Sequence, residues 1–411
     1  MKQYSSFLLK EIAGVPYLLP YGQMIANHRR GLKTNATGVY LWNLLAEELS
    51  IEEVLSKSAA YYEISAEDLP EFEKDITLFV EQLKNHGVLV DSADSASDYP
   101  FTKLKTSREE ALESADESCL ATPATPCEHL LTIGGLNIKL TTPEDAFPPD
   151  FADFVVENQN TEKTHLSITL HPTLPTNEPS GRVLLQNIEL NIIDQGDRYL
   201  LHFPQAKSHL EIHLAKDGSV AHCYSLPPYN SNFHYDFFHA IRLLYLYQAQ
   251  QHGMVAIHSA SILYQDKLWL FSGHSGMGKS THTNLWKEHF GTPVINGDLN
   301  LLAMENGKPV VHGIPWCGTS GIYDTKTYPL GGIILLERAS TDYTSELSAD
   351  QKQLLVSQRL ISPAWTKELW ETNMDITEAV TADILICKLH CTKERSAAEV
   401  MKEKVDGFLE K

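Results

Sequence analysis

Apolar residues fall into two rhythms along this chain, and the switch between them divides it. Residues 7–12 and 15–19 are short strand-like runs on either side of Ala13-Gly14, a hairpin signal, and residues 24–34 can supply a third strand. Helical spacing then takes over. Asn35-Ala36-Thr37 precedes Val39, Tyr40, Leu41, Leu44 and Leu45, and Ser50-Ile51-Glu52-Glu53 reads as a capping box. Ser65-Ala66-Glu67-Asp68 opens a third helix with Leu69, Phe72, Ile76, Phe79 and Leu83 on one face. Gly87 suits its stop, and Val88-Leu89-Val90 ends the unit as a strand. Paired strands, three helices and a closing strand describe a small winged-helix-like domain over residues 1–92.

Periodicity fades over residues 93–129, which are rich in Ser, Ala, Asp, Glu, Thr and Pro and read as a flexible acidic linker. Over residues 130–230 short β-rich runs recur between turn signals such as Asp194-Gln195-Gly196-Asp197, predicting an antiparallel β-rich lobe. Residues 233–252 form a long helical pattern ended by Gly253. Residues 255–263 and 268–271 are strands joined by a tight turn. The predicted class is therefore α+β and multidomain, closing with an α/β domain over residues 231–411.

The strand at 268–271 leads directly into Gly273-His274-Ser275-Gly276-Met277-Gly278-Lys279-Ser280, a match to G-x-x-x-x-G-K-[ST]. Thr281 and the residues to 290 continue at helical spacing. Strand, glycine loop and helix are the setting in which backbone N–H groups close around phosphate oxygens at a positive helix end. Lys279 would reach the β- and γ-phosphates of ATP, and the Ser280 hydroxyl would ligate Mg²⁺.

Composition narrows the function classes. The formal net charge is −20, which argues against nucleic acid or an anionic membrane as the main partner. Residues 1–92 carry eight Lys/Arg and thirteen Asp/Glu, so their winged-helix-like pattern lacks a basic face for DNA. No apolar run approaches the ~20 residues of a bilayer span, and the first residues lack a signal-peptide pattern. A cytoplasmic location follows as the expectation. The cysteines Cys119, Cys127, Cys223, Cys317, Cys387 and Cys391 are scattered and read as free thiols. Cys387-Lys388-Leu389-His390-Cys391 resembles a metal fragment, but no second cluster accompanies it.

Residues 1–92 resemble the PqqD family, also called the RiPP recognition element. The paired strands, the run from Lys33 to Trp42 (KTNATGVYLW), the Glu-rich second helix and Gly87-Val88-Leu89 carry the likeness. It implies capture of the leader of a ribosomally made precursor peptide by β-augmentation, and contact with other peptide-maturation enzymes. The implied groove has Leu32, Lys33 and Thr34 on one side and Ile76, Phe79 and Val80 on the other. Residues such as Ile76 and Phe79 also suit the plain core of the third helix.

A second likeness covers residues 230–405. His258-Ser259, the hairpin and the glycine loop resemble the HPr kinase/phosphorylase family and its phosphoenolpyruvate-carboxykinase-like relatives. Val294-Ile295-Asn296-Gly297-Asp298-Leu299 matches the family strand that ends in two adjacent aspartates. This chain has Gly297 at the first and keeps Asp298 at the second. His312-Gly313-Ile314-Pro315-Trp316-Cys317-Gly318 and the strand ending Glu337-Arg338 are similar to family elements. The likeness implies that Ser280 and Asp298 hold Mg²⁺ and that Asp298 is the base for the attacking hydroxyl, with His258 second and Asn296 a neutral ligand. Asp298 as a metal-ordering carboxylate, and His258 as an ordinary strand-end histidine, stay open. Arg359 is a distant candidate for transition-state charge. The family includes hexamers, so an oligomer is in keeping.

Together these readings predict an ATP-dependent kinase that holds a leader peptide and phosphorylates a Ser/Thr hydroxyl beyond it. The alternative is a nucleotide-binding adaptor or ATPase in peptide maturation without peptide kinase activity.

Overall fold

The computed structural model describes residues 2–3, 6–90, 98–115, 125–156 and 163–410. At the N-terminus β1 (Lys2–Gln3) pairs with β5 (Leu89–Val90), closing a unit that holds β2 (Phe7–Ile12), β3 (Val15–Pro20), α1 (Gln23–Ala26) and β4 (Leu32–Lys33). Its helices are α2 (Ala36–Leu44), α3 (Ile51–Tyr61) and α4 (Leu69–Asn85). Strands β2, β3 and β4 form an antiparallel sheet in that order, so β4 is an edge. Ser50 and Glu53 exchange both capping-box bonds at the start of α3, as their spacing predicts.

Residues 98–115 and the strand that follows correct the linker expected over 93–129. Tyr99–Ser114 is a helix, α5, and Pro126–Ile133 is strand β6; residues 93–97 and 116–124 lie outside the described residues, as does Cys119. Tertiary contacts fix α5. Leu104 packs on Ile193 and Leu200, and Arg108 makes a two-pronged pair with the fully buried Glu211 at 2.9 and 2.8 Å. Those partners lie about a hundred residues away, where local pattern cannot register them.

The large β sheet runs β6, β7 (Leu136–Pro143), β8 (Leu166–His171), then β13 (Val220–Tyr224), β12 (Glu211–Ala215), β11 (Arg198–His202), β10 (Asn191–Asp194) and β9 (Arg182–Gln186). It is mixed and not wholly antiparallel, because β8 lies parallel to both β7 and β13. Helix α6 (Ser231–Gln251) packs its aromatic face on this sheet. Phe233, Phe237 and Tyr245 share one apolar cluster with Leu140, Ile168 and Trp316. Fully burying one such ring contributes about 1.5–3 kcal/mol.

The remaining strands are β14 (Val255–Tyr264), β15 (Lys267–Ser272), β16 (Val294–Asn296), β17 (Leu299–Glu305), β18 (Lys308–His312), β19 (Thr327–Arg338), β20 (Tyr343–Ser345) and β21 (Leu385–Cys391). Helices α7 (Lys279–Phe290), α8 (Ala349–Ser357), α9 (Lys367–Thr381) and α10 (Arg395–Leu409) surround them. The pairings β14–β15, β15–β19, β19–β18, β18–β17 and β17–β14 close on themselves. Strand β14 pairs with β17 as far as His258 and with β16 from Ser261 onward. The gap between those two partners is the Gly297-Asp298 turn, which therefore sits beside His258.

The N-terminal sheet packs against α8 and α9. Leu8, Ile12, Tyr17 and Leu19 form a cluster with Trp370 and Met374. The Tyr17 hydroxyl donates to Asp350 at 2.6 Å, and the Gly22 N–H donates to the Ala364 carbonyl. Among the described residues no helix is long and apolar enough to cross a membrane.

Candidate functional site

Strand β15 ends at Ser272, and residues 273–278 turn the chain into α7. Gly276 and Gly278 take φ of 76° and 99°, the left-handed region where a Cβ is disfavoured. No side chain caps α7, and its first turn carries no acidic residue. Its leading N–H groups thus keep their capacity for an anion. Arg338, at the end of the neighbouring β19, donates to the Gly276 carbonyl and pins the loop. Ser275 and Ser280 are exposed, Met277 and Thr281 half-buried.

Lys279 turns inward from this loop and is only 9% exposed. Its ammonium lies 2.7 Å from His258 Nε2, and Asp298 Oδ1 lies 3.0 Å from the same nitrogen. One ring nitrogen cannot both accept from the lysine and donate to the carboxylate. The trio therefore holds alternative proton positions on a short line. The His258 contact, joined by Lys279 and Arg242, holds the Asp298 carboxyl below the ordinary carboxylate range against the opposing effect of burial. Burial lowers the pKa of Lys279, with Arg359 acting in the same direction and Asp298 opposing. The lysine is thus buried among polar groups and not in an apolar core.

Asn296 is a clamp. Its Oδ1 accepts from the Asp298 and Leu299 N–H groups at 2.9 and 3.1 Å, and its Nδ2 faces the carbonyls of Ile314 and Trp316. That oxygen is occupied by backbone, which corrects its reading as a neutral metal ligand. Gly297 is filled in from across the turn. A Cβ there would stand 2.1 Å from Ser320 Oγ and 2.4 Å from Ser320 Cβ. An aspartate at 297 does not fit while Ser320 is present. Trp316 is core, its indole N–H donating to the Phe238 carbonyl.

Three further groups face the site. Arg359 is brought in because its carbonyl accepts from the His258 N–H at 2.9 Å, and its guanidinium nitrogens lie 3.1 and 3.2 Å from the ring nitrogens of His274. Arg242 of α6 bears on Asp298 electrostatically, and burial lowers its pKa. His239, one turn earlier on α6, is pushed down to about 4 by burial and by Arg242. Sequence reasoning passed over Arg242 and His239; the signal was a lone arginine within the apolar face of a long helix. Glu337 pairs with Lys388 at 2.6 Å.

The donor set suits a hard cation only in company with phosphate oxygens. Ser280 and Asp298 offer oxygen, and among the described residues no group of three or more His, Cys, Asp or Glu could hold a metal by itself. Cys387 and Cys391 lie in the core of β21, and the five described cysteines are free.

At the N-terminal unit, among the described residues only β3 pairs with β4. Leu32 and Thr34 are half-buried and Lys33 is exposed. Ile76 and Val80, expected in the groove, are 3% and 2% exposed and fill the core with Leu41, Leu45 and Val54. They lie on the inward side of α4 with Leu83, which leaves half-buried Phe79 as the helix contribution to a groove.

Residues 23–89 match the family model Coenzyme PQQ synthesis protein D (PqqD). This chain contains a PqqD domain. A search of curated proteins finds no match to the chain. Among solved structures, the Hpr(Ser) kinase/phosphatase from Coxiella burnetii is similar at 10% identity, over 38% of this chain and 97% of that one, with a TM-score of 0.23. A likeness that slight carries no argument about activity.

Proposed function

We propose that this chain is a peptide kinase in which the PqqD domain grips the leader of a precursor peptide and the glycine-loop domain transfers the γ-phosphate of ATP to a Ser or Thr hydroxyl of that peptide. The observation that carries the reading is the Lys279–His258–Asp298 line beside an uncapped helix N-terminus, in one chain with a PqqD domain. Phosphoryl transfer asks for positioning and charge neutralisation more than covalent help.

The proposed roles draw on this arrangement. The N–H groups of residues 273–280 and the Lys279 ammonium hold the triphosphate. Ser280 and Asp298 would hold Mg²⁺ together with phosphate oxygens, and the ion would supply charge neutralisation there. Asp298 accepts the proton of the acceptor hydroxyl, and His258 adjoins as the next proton site. Lys279 must leave His258 to meet the phosphates, which frees Nε2–H to face Asp298. Arg242 acts on Asp298 and Arg359 on Lys279, which adds positive charge to the site. Tethering by the PqqD domain raises the effective concentration of the acceptor, so the transfer site need not bind it tightly.

Incubation of the full chain with ATP, Mg²⁺ and a co-encoded short peptide, read by mass spectrometry, tests this. A phosphate-sized gain that requires Lys279 supports it; none, with ATP bound, counts against it. The second reading is a nucleotide-binding adaptor or ATPase. It draws on the single carboxylate left by Gly297 and predicts ATP binding or hydrolysis indifferent to peptide.

A further inference from the structure

A cavity of about 840 Å³ opens between the PqqD domain and the glycine loop. One wall is the end of β3, α1 and the segment leading into β4. The other is His274 and Met277 of the loop with residues 354–364. The lining is cationic in a chain whose net charge is −20. Arg29, Arg30, Arg359 and Lys388 face Glu337 as the single carboxylate, and His28 and His274 add two imidazoles. Lys388 satisfies Glu337, which leaves three arginines without a carboxylate partner among the described residues. The Arg359 Nε is buried and has no acceptor. Arg359, then burial, then Arg30 hold the His274 pKa below its ordinary value, so these positive groups sit within electrostatic reach of one another. Like charges gathered at the mouth of a site cost stability unless an anion joins them.

The position of the cavity says what passes through it. Gly31, Arg30 and Arg29 precede Leu32, the first residue of β4. A strand added antiparallel to β4 ends its C-terminal side at Leu32. Whatever follows that strand enters the cavity with the glycine loop on its far wall. We infer that this cavity receives the acceptor segment of the bound peptide, and that the segment is acidic, with Asp or Glu flanking the hydroxyl that is phosphorylated. The inference rests on the proposed function for the hydroxyl, while the preference for acidic peptide stands on the cavity alone.

The test uses the full chain and three fluorescent synthetic peptides, each with one central Ser flanked by Glu and Asp, by Gly and Ala, or by Lys. Anisotropy is read at low and high salt with ATP and Mg²⁺ present, and ATP affinity is measured separately. The acidic peptide should bind at least about tenfold tighter than the neutral one, a preference that shrinks as salt rises. The double variant Arg29→Glu/Arg30→Glu should erase the preference and leave ATP affinity unchanged. Equal binding of all three peptides overturns the inference. So does a double variant that loses ATP affinity and keeps the peptide preference, because the arginines would then serve the nucleotide. Selective binding of the acidic peptide upholds the cavity, while a full-length precursor that gains no phosphate in the mass-spectrometric assay sinks the kinase reading, so the two failures are distinct.

Discussion

His258 Nε2 stands between Lys279 and Asp298, 2.7 Å from the ammonium and 3.0 Å from the carboxylate oxygen. One imidazole nitrogen thus joins the cation of the glycine loop to the anion of the β16–β17 turn. Replacing either charged end should separate binding from transfer. Lys279→Ala should weaken ATP binding by about tenfold or more and cut transfer by roughly 10²–10³. Asp298→Asn should keep most ATP affinity and lose transfer by on the order of 10²–10⁴. Calorimetric titration with ATP, paired with a phosphate-transfer assay, reads both. An Asp298→Asn protein that transfers phosphate at the native rate removes Asp298 as the base.

Ser320 occupies the space beside Gly297. Gly297→Ala should therefore destabilise the fold by about 1–3 kcal/mol through overcrowding. Adding Ser320→Gly should recover at least half of that, since both crowding atoms are removed. Denaturant unfolding of the two single variants and the pair measures the coupling. Independent, additive effects would show that the contact is not what constrains position 297.

The buried imidazoles of the β lobe set an acid limit. Burial pushes His202 and His209 down to about 4 in the fold, while the unfolded chain titrates them near 6.5. Between those values the unfolded state binds more protons, so stability falls as pH drops from ~6.5 towards ~4. The loss is on the order of 3 kcal/mol per histidine. Thermal melts across this window should show the fall, and His202→Gln should reduce it by roughly half. Arg108→Ala should cost about 3–5 kcal/mol at pH 7, because it strands the Glu211 carboxylate in the interior.

Trp370 carries the contact between the β2–β3 hairpin and α9. Trp370→Ala should cost about 3–5 kcal/mol and raise amide exchange across residues 7–20, with ATP affinity little changed. Exchange confined to residues near 370 would show that the hairpin is held by other contacts.

The parts that could be read from sequence are those whose cause is local. A hairpin at Ala13-Gly14, a capping box at Ser50 and Glu53, and the glycine loop each need only neighbouring residues, and each stands where the pattern put it. His258 and Asp298 were named from family likeness, and the fold brings them within 3.0 Å. What escaped depends on distant partners. Helix α5 exists through Glu211 and Ile193, and β8 is parallel because β13 returns beside it. The space at Gly297 is closed by Ser320, a residue with no signature of its own. Ile76 and Val80 face inward because α4 is rotated to bury them, which helical spacing alone allows but does not require.

The bond from Tyr17 to Asp350 and the packing of Trp370 fasten the β2–β4 sheet to the body that carries the glycine loop. Under the proposed function this makes the molecule a ruler. A handle that cannot slide relative to the chemistry fixes how many residues separate the clasped portion of a precursor from its modified hydroxyl. Shifting that hydroxyl a few positions along the peptide should abolish labelling even when every recognised side chain is kept.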